Sequence, residues 1–267
     1  MPSLRPALAA LSVLAAIAGI LSQATPAAAG SGRPSKTASA AAYDVSYPQC
    51  GSRLPSGGQQ GVVGVTAGIP WSSNSCLASE YGWAASKSQP AQLYMNTANP
   101  EAASSNWSTR AGSGPRPCSA AELADASNAD CAYNYGWNAA RDALSHATAT
   151  IGAVAATHAW WLDVETGNSW NGSASANSSD LQGSVDSLLA AKVPAVGFYS
   201  TGYQWGVITG GYQAPSTTNG LPANWLAGAA NATQAASWCS SAHSFSGGPV
   251  HLVQYPSGNF DGDTICL

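Results

Sequence analysis

Charge is what this chain has least of. Lys and Arg together number 9 and Asp and Glu 13 among 267 residues, so charged side chains make up 8% of the sequence and the formal net charge is −4. Lys and Arg form no cluster, which leaves a nucleic-acid groove or an anionic-membrane patch without an electrostatic footprint. No Cys-X-X-Cys occurs, so a thiolate zinc site and a dithiol redox motif both lack their ligand pattern. None of His146, His158, His243 and His251 belongs to a His-Glu-X-X-His, the arrangement a zinc hydrolase needs. Ser200 stands in Gly197-Phe198-Tyr199-Ser200-Thr201-Gly202, the wrong spacing for a Gly-X-Ser-X-Gly nucleophile. Asp261-Gly262-Asp263 lacks the remaining ligands of a calcium loop. Neither a metal nor another cofactor is expected. With so few charges, each acid is informative.

The N-terminus has a compartment signature. Arg5 precedes a small-apolar run over 7–21, followed by Ala27-Ala28-Ala29 and Gly30. A basic start, a short apolar stretch and an Ala-X-Ala site read as a signal peptide over 1–29, cut after Ala29. The run is too short and too rich in Ala for a membrane span, which wants about 20 strongly apolar residues. Residues 30–40, rich in Ser, Gly and Ala, read as a disordered leader. The protein is expected to be secreted, with no membrane anchor. Cys50, Cys76, Cys118, Cys131, Cys239 and Cys266 fit an oxidising compartment in even number. Local staples between Cys50 and Cys76, Cys118 and Cys131, and Cys239 and Cys266 are expected.

One domain over 41–267 is predicted. Apolar strand-like runs occur at 43–47, 62–67, 92–97, 159–165, 195–201, 224–228, 250–255 and 260–266. Between the early ones lie amphipathic helical patterns at 76–87, 135–147 and 180–192, with apolar residues three and four apart. Strands alternating with such helices imply parallel pairing through right-handed crossovers. Between 200 and 249 the helical signal weakens, broken by Gly210-Gly211, Pro215 and Gly220, and Pro256-Ser257-Gly258-Asn259 reads as a hairpin turn. The expected fold is α/β, a single TIM-barrel-like β/α barrel, incomplete, its last third mostly strands. Residues 99–130 form a long insertion stapled by Cys118 and Cys131.

The strongest chemical signal is Trp160-Trp161-Leu162-Asp163-Val164-Glu165. Alternate strand residues point to one side, about 6.7 Å apart along the chain, so Asp163 and Glu165 project together and Val164 away. Two adjacent carboxylates in a sheltered site cannot both ionise freely, so one holds its proton. A protonated acid beside an anion is what cleaving a glycosidic bond requires. Barrel sites gather at the C-terminal ends of strands, where Asp44 on the first run and Asp261 on the last also fall. Neighbouring first and last strands would bring Asp44 and Asp261 to the central pair, making a carboxylate-lined cup. Ten Trp and ten Tyr suit a glycan partner, because sugar rings bind on aromatic faces.

The ordered set Tyr43-Asp44-Val45-Ser46 with Gln49, Leu162-Asp163-Val164-Glu165, Gly197-Phe198-Tyr199-Ser200, Asn224-Trp225-Leu226-Ala227, Val253-Gln254-Tyr255 and Phe260-Asp261-Gly262-Asp263 resembles glycoside hydrolase family 25, the lysozyme-type N-acetylmuramidases. The resemblance runs along nearly the whole chain after the leader. It implies Glu165 as proton donor, Asp163 as the stabiliser beside it, and Asp44 and Asp261 completing the cup, with Tyr47, Asn96, Tyr199, Trp225, Gln254 and Tyr255 lining the groove. It further implies a monomer acting on the β-1,4 bond after N-acetylmuramic acid in peptidoglycan. Two family segments differ: Val65-Thr66-Ala67-Gly68-Ile69-Pro70-Trp71 replaces a Lys-Ala-Thr-Glu-Gly pattern, and Leu93-Tyr94-Met95-Asn96-Thr97 replaces Tyr-His-Phe. Glu165, its pKa raised by burial and neighbouring carboxylates, is expected to protonate the leaving oxygen. Asp163 would either attack or orient a substrate acetamido group to do so, the second route being preferred. The alternatives are a secreted glycan-binding barrel without turnover and a hydrolase of another amino-sugar polymer.

Overall fold

The computed structural model describes residues 41–266; the expected signal peptide over 1–29 and leader over 30–40 lie outside the described residues. Eight strands form a closed barrel in chain order: β1 Ala42–Val45, β2 Gln60–Gly64, β3 Gln92–Asn96, β4 Trp160–Asp163, β5 Val196–Ser200, β6 Ala223–Leu226, β7 Val250–Ser257 and β8 Phe260–Ile265. Each coincides with one of the eight apolar runs. Pairing is parallel from β1 through β7, and β8 is antiparallel to both β7 and β1. The incompleteness lies in the helices, not in the strand ring.

The helices are α1 Leu77–Ala85, α2 Trp107–Ala111, α3 Ala129–Ile151, α4 Ala174–Ala190, α5 Gly202–Thr209 and α6 Ala232–Ser237. No α-helix joins β1 to β2, where only a 3-10 turn at Tyr47–Gln49 is present. The last third keeps two short helices, α5 and α6, which the Gly- and Pro-broken sequence hid. Side-chain caps start the stronger helices: Asn128 Oδ1 accepts from the amides of Asp130 and Cys131, both at 3.0 Å, and Thr201 Oγ1 accepts from Gln204 at 3.1 Å.

Period-two alternation divides the apolar residues into two layers. Val45, Val63, Leu93, Met95, Trp160, Leu162, Val164, Phe198 and Val253 face outward into the core cluster shared with the helices. Val62, Trp161, Ala223, Trp225 and Leu252 fill the barrel interior. The longest helices, α3 and α4, approach closely through Gly136 and Gly183. A Cβ at Gly136 would lie 1.9 Å from the Asp180 carbonyl oxygen, and one at Gly183 would lie 2.1 Å from that of Tyr133.

The structure joins Cys50 to Cys76, Cys118 to Cys131 and Cys239 to Cys266, the pairing expected. Among the described residues no cysteine is free and no helix is long and apolar enough to cross a membrane. The 99–130 insertion is anchored to the first turn of α3 by Cys118–Cys131. It carries α2, whose fully buried Trp107 stacks on Tyr135 of α3 at 5.7 Å.

Candidate active site

Strand β4 ends at Asp163, but the amide of Val164 still donates to the Tyr199 carbonyl of β5 at 2.9 Å. Extended pairing therefore continues far enough to send Val164 outward into the core and both acids inward. Asp163 is 5% exposed. Its register partner Asn96 of β3 donates Nδ2 to Asp163 Oδ2. Thr66 Oγ1 in turn donates to Asn96 Oδ1 at 2.7 Å, and Thr97 Oγ1 donates to the Asp163 carbonyl at 2.6 Å. Asp163 is thus clamped from β3 and the loop after β2, while Glu165 stands half-buried at the mouth.

The structure puts a large upward pKa shift on Asp163. Burial is the main cause, followed by the charges of Glu165 and Asp44, and Asp163 Oδ1 is buried without a hydrogen-bond partner. Burial thus favours the neutral form of Asp163, the last paired residue of the strand, while Glu165, two residues on, reaches the mouth of the cup.

Asp44 comes from β1 and Asp261 from β8, and the two are register partners. They meet because β8 runs antiparallel, bringing its N-terminal end to the face where the parallel strands end. Burial, then the charge of Asp261, pushes Asp44 up to about 7. Asp44 Oδ2 accepts from Gln254 Nε2 at 3.0 Å, and Gln254 Oε1 accepts from the Tyr199 hydroxyl at 2.8 Å. Asp261, at the rim, is raised by desolvation.

Asp44, Asp163, Glu165 and Asp261 line one cup of about 180 Å³ open to solvent, with Tyr94, Tyr199, Trp225 and Gln254 among its walls. Among the described residues the one ion pair is Arg116–Asp130, at 3.1 Å. The cup's carboxyls therefore have no cation to offset them, and protons must relieve their repulsion.

The groove-lining expectations divide. Tyr199, Trp225 and Gln254 line the cup. Trp225 is 2% exposed and forms the floor, so it offers no open face to a sugar ring. Asn96 sits behind Asp163 rather than on the surface of the cup. Tyr255 is a correction: because Gln254 points inward, alternation sends its neighbour outward, into the core. Tyr47 lies on the 3-10 turn after β1, 46% exposed, between Ser46 and Pro48 of the cup lining. Sequence reasoning passed over Tyr94, Ser46, Pro48 and Gln49, which line the cup, and Asp263. Asp263 had a legible signal, since it stands two residues from Asp261 as Asp163 does from Glu165.

No protein-family model matches the chain, and no curated protein sequence matches it. Solved structures do. The bacterial lysozyme from Streptomyces coelicolor superposes with a TM-score of 0.51 at 15% identity, over 86% of this chain and 90% of that one. A muramidase from Trichobolus zukalii gives a TM-score of 0.49 at 16% identity over 84% and 92% of the respective chains. A family GH25 lysozyme from Aspergillus fumigatus gives 0.48 at 14% identity over 84% and 92%. The Streptomyces superposition establishes a common barrel fold.

Proposed function

We propose that this chain is a secreted glycoside hydrolase of the lysozyme type, a divergent relative of family 25, cleaving the β-1,4 bond after N-acetylmuramic acid in peptidoglycan. The observation that carries the reading is the placement of Asp163 and Glu165, one buried and one half-buried at the mouth, in a cup completed by Asp44 and Asp261. The barrel shared with the Streptomyces lysozyme supports it. Three disulfides support secretion, after removal of 1–29 and with the domain running over 41–267 as a monomer.

The chemistry follows from depth and contact. Asp163 and Glu165 share a proton, and Glu165, nearer the groove, delivers it to the leaving glycosidic oxygen. Positive charge developing on the sugar is stabilised by the carboxylates of Asp163 and Asp44. Retaining carboxyl pairs stand about 5–5.5 Å apart on opposite sides of the scissile bond. Two acids side by side on one strand end do not flank a ring in that way. Capture by the substrate's own acetamido oxygen, its N–H held by Asp163, fits them better and retains configuration. Glu165, now a base, then activates the water that opens the intermediate.

The test is product analysis. Digested peptidoglycan should carry new reducing ends on N-acetylmuramic acid. Ends on N-acetylglucosamine would make it a glucosaminidase, released peptides or amines would place it in another class, and binding without any new end would make it a glycan-binding barrel.

The rim acid gives a pH prediction. The negative charge of Asp261 helps to hold Asp44 at about 7, so Asp261→Asn should lower the Asp44 pKa. If turnover needs the Asp44 anion, rate rises with pH through that pKa, and the acid limb of the pH–rate profile should move to lower pH. A shift of one unit corresponds to about 1.4 kcal/mol. An unchanged profile at full activity on soluble oligosaccharide would place Asp261 outside the site.

A further inference from the structure

Asp263 lies on β8 opposite Ala42 of β1 and Gln254 of β7, one alternation deeper than Asp261. It is 0% exposed, in the part of the barrel interior filled by Val62, Trp161, Ala223, Trp225 and Leu252. Its Oδ1 accepts from Trp225 Nε1 at 2.7 Å. Its Oδ2 is sealed from solvent and meets no donor, and Asp44 stands diagonal to it across the β1–β8 pairing, on the same face. Two ionised carboxyls so placed, with neither water nor a cation to separate them, would repel strongly. A proton between them removes the repulsion and satisfies the orphaned oxygen.

We infer that Asp263 is a positioning residue of the cup: it stays protonated, donates that proton's hydrogen bond to the Asp44 carboxylate, and clamps the Trp225 indole with its other oxygen. The titratable groups that face it are Asp44 on β1 and Asp261 on its own strand, with Tyr255 of β7 near enough to feel its charge. No Lys, Arg or His among the described residues pairs with it. Burial and the neighbouring Asp44 charge hold its carboxyl well above the usual carboxylate range, in accord with the geometry.

The clamp reaches Asp44 from two sides. Directly, the Asp263 hydroxyl favours the Asp44 anion and fixes its plane. Indirectly, Trp225 packs edge-on against Tyr199 at 4.6 Å, Tyr199 holds Gln254, and Gln254 holds Asp44. A neutral acid can serve both ends because it has one acceptor and one donor. An amide has the same two, which makes the asparagine variant diagnostic.

The role in turnover rests on the hydrolase reading; the protonation state does not. Asp263→Ala should lower kcat by at least about tenfold with KM little changed, as loss of a charge-assisted hydrogen bond and of the indole clamp requires. Asp263→Asn should restore kcat to within about threefold, with the pH–rate profile unmoved, because it replaces a neutral donor by a neutral donor. An asparagine variant as damaged as the alanine one would overturn the assignment. So would an acid limb displaced to lower pH in Asp263→Asn, since that is the effect of removing a real negative charge beside Asp44. Carbon-13 NMR of the parent carboxyls gives a reading independent of activity and of variant folding. Asp263 should keep the chemical shift of a protonated acid from about pH 4 to about pH 8, through the range in which Asp44 titrates. An ionised Asp263 in that range would overturn the inference. A protonated Asp263 in a protein that cleaves no glycan would leave it standing and sink the hydrolase reading instead.

Discussion

Glu165→Gln should lower turnover on peptidoglycan by about 10²–10⁴-fold, the usual contribution of a positioned general acid, while binding of an N-acetylated oligosaccharide stays close to that of the parent. Glutamine keeps the size and reach of the side chain but holds no transferable proton. Asp163 cannot take over, because it lies deeper in the cup with its carboxylate held by Asn96. The loop itself should not move. The Glu165 carbonyl accepts from Trp170 Nε1 at 2.8 Å, and the next amide, of Thr166, donates to Gln204 at 2.6 Å; neither bond uses the Glu165 side chain. Steady-state rates and calorimetric binding on the same oligosaccharide make the measurement. A variant with near-normal turnover would remove Glu165 from the chemistry, and a variant that loses binding in proportion to rate would make it a binding group.

Much of this arrangement is local and so was open to reading. Each strand is an apolar run bounded by turn residues, and inward or outward orientation follows from parity, which is why Asp163, Glu165, Asp44 and Asp261 could be placed on one face. Parity also shows where the reading slipped. Gln254 and Tyr255 are adjacent on a strand and cannot both face the cup, and Asp263 must face it if Asp261 does. What parity cannot supply is depth. Burial raises Asp163, and the acid is held there by Asn96 on the preceding strand and, through Asn96, by Thr66 after β2.

The divergent segments are not independent. The loop after β2 ends in Trp71, which adopts positive φ (64°), donates Nε1 to the Tyr135 hydroxyl at 2.9 Å and lies under Arg110 of the insertion at 4.2 Å. The insertion's own Trp107 stacks on the same Tyr135. A single aromatic cluster therefore links the segment that replaces Lys-Ala-Thr-Glu-Gly to the long insertion. Such a link involves residues 28 to 64 positions apart in sequence and carries no periodic signature, so no pattern in the chain announces it. Thr66 in that same loop supplies the hydroxyl that holds Asn96. The loop thus reaches the Asp163/Glu165 pair by way of Asn96 on β3.

Asp163→Asn should be nearly as damaging as loss of Glu165, by about 10²–10³-fold in kcat, for the opposite reason to the tolerance expected at Asp263. Both aspartates are buried and raised, and asparagine mimics the protonated form of each. At Asp263 the protonated form is the working form throughout. Asp163 must instead give up its share of the proton as Glu165 delivers it, then carry negative charge opposite the developing positive centre. An amide can do neither. The fold should survive, because a neutral group already occupies the site and Asn96 and Thr97 can still reach an oxygen there. If the two acids act as one proton-sharing unit, the double variant Asp163→Asn/Glu165→Gln should be no slower than the slower single variant by more than about threefold, since residues acting as a unit are strongly non-additive. Losses that multiply would mean two independent roles. An Asp163→Asn enzyme with parental kcat would mean that the Asp163 proton never moves, and Glu165 would then have to draw its proton from solvent at the mouth of the cup.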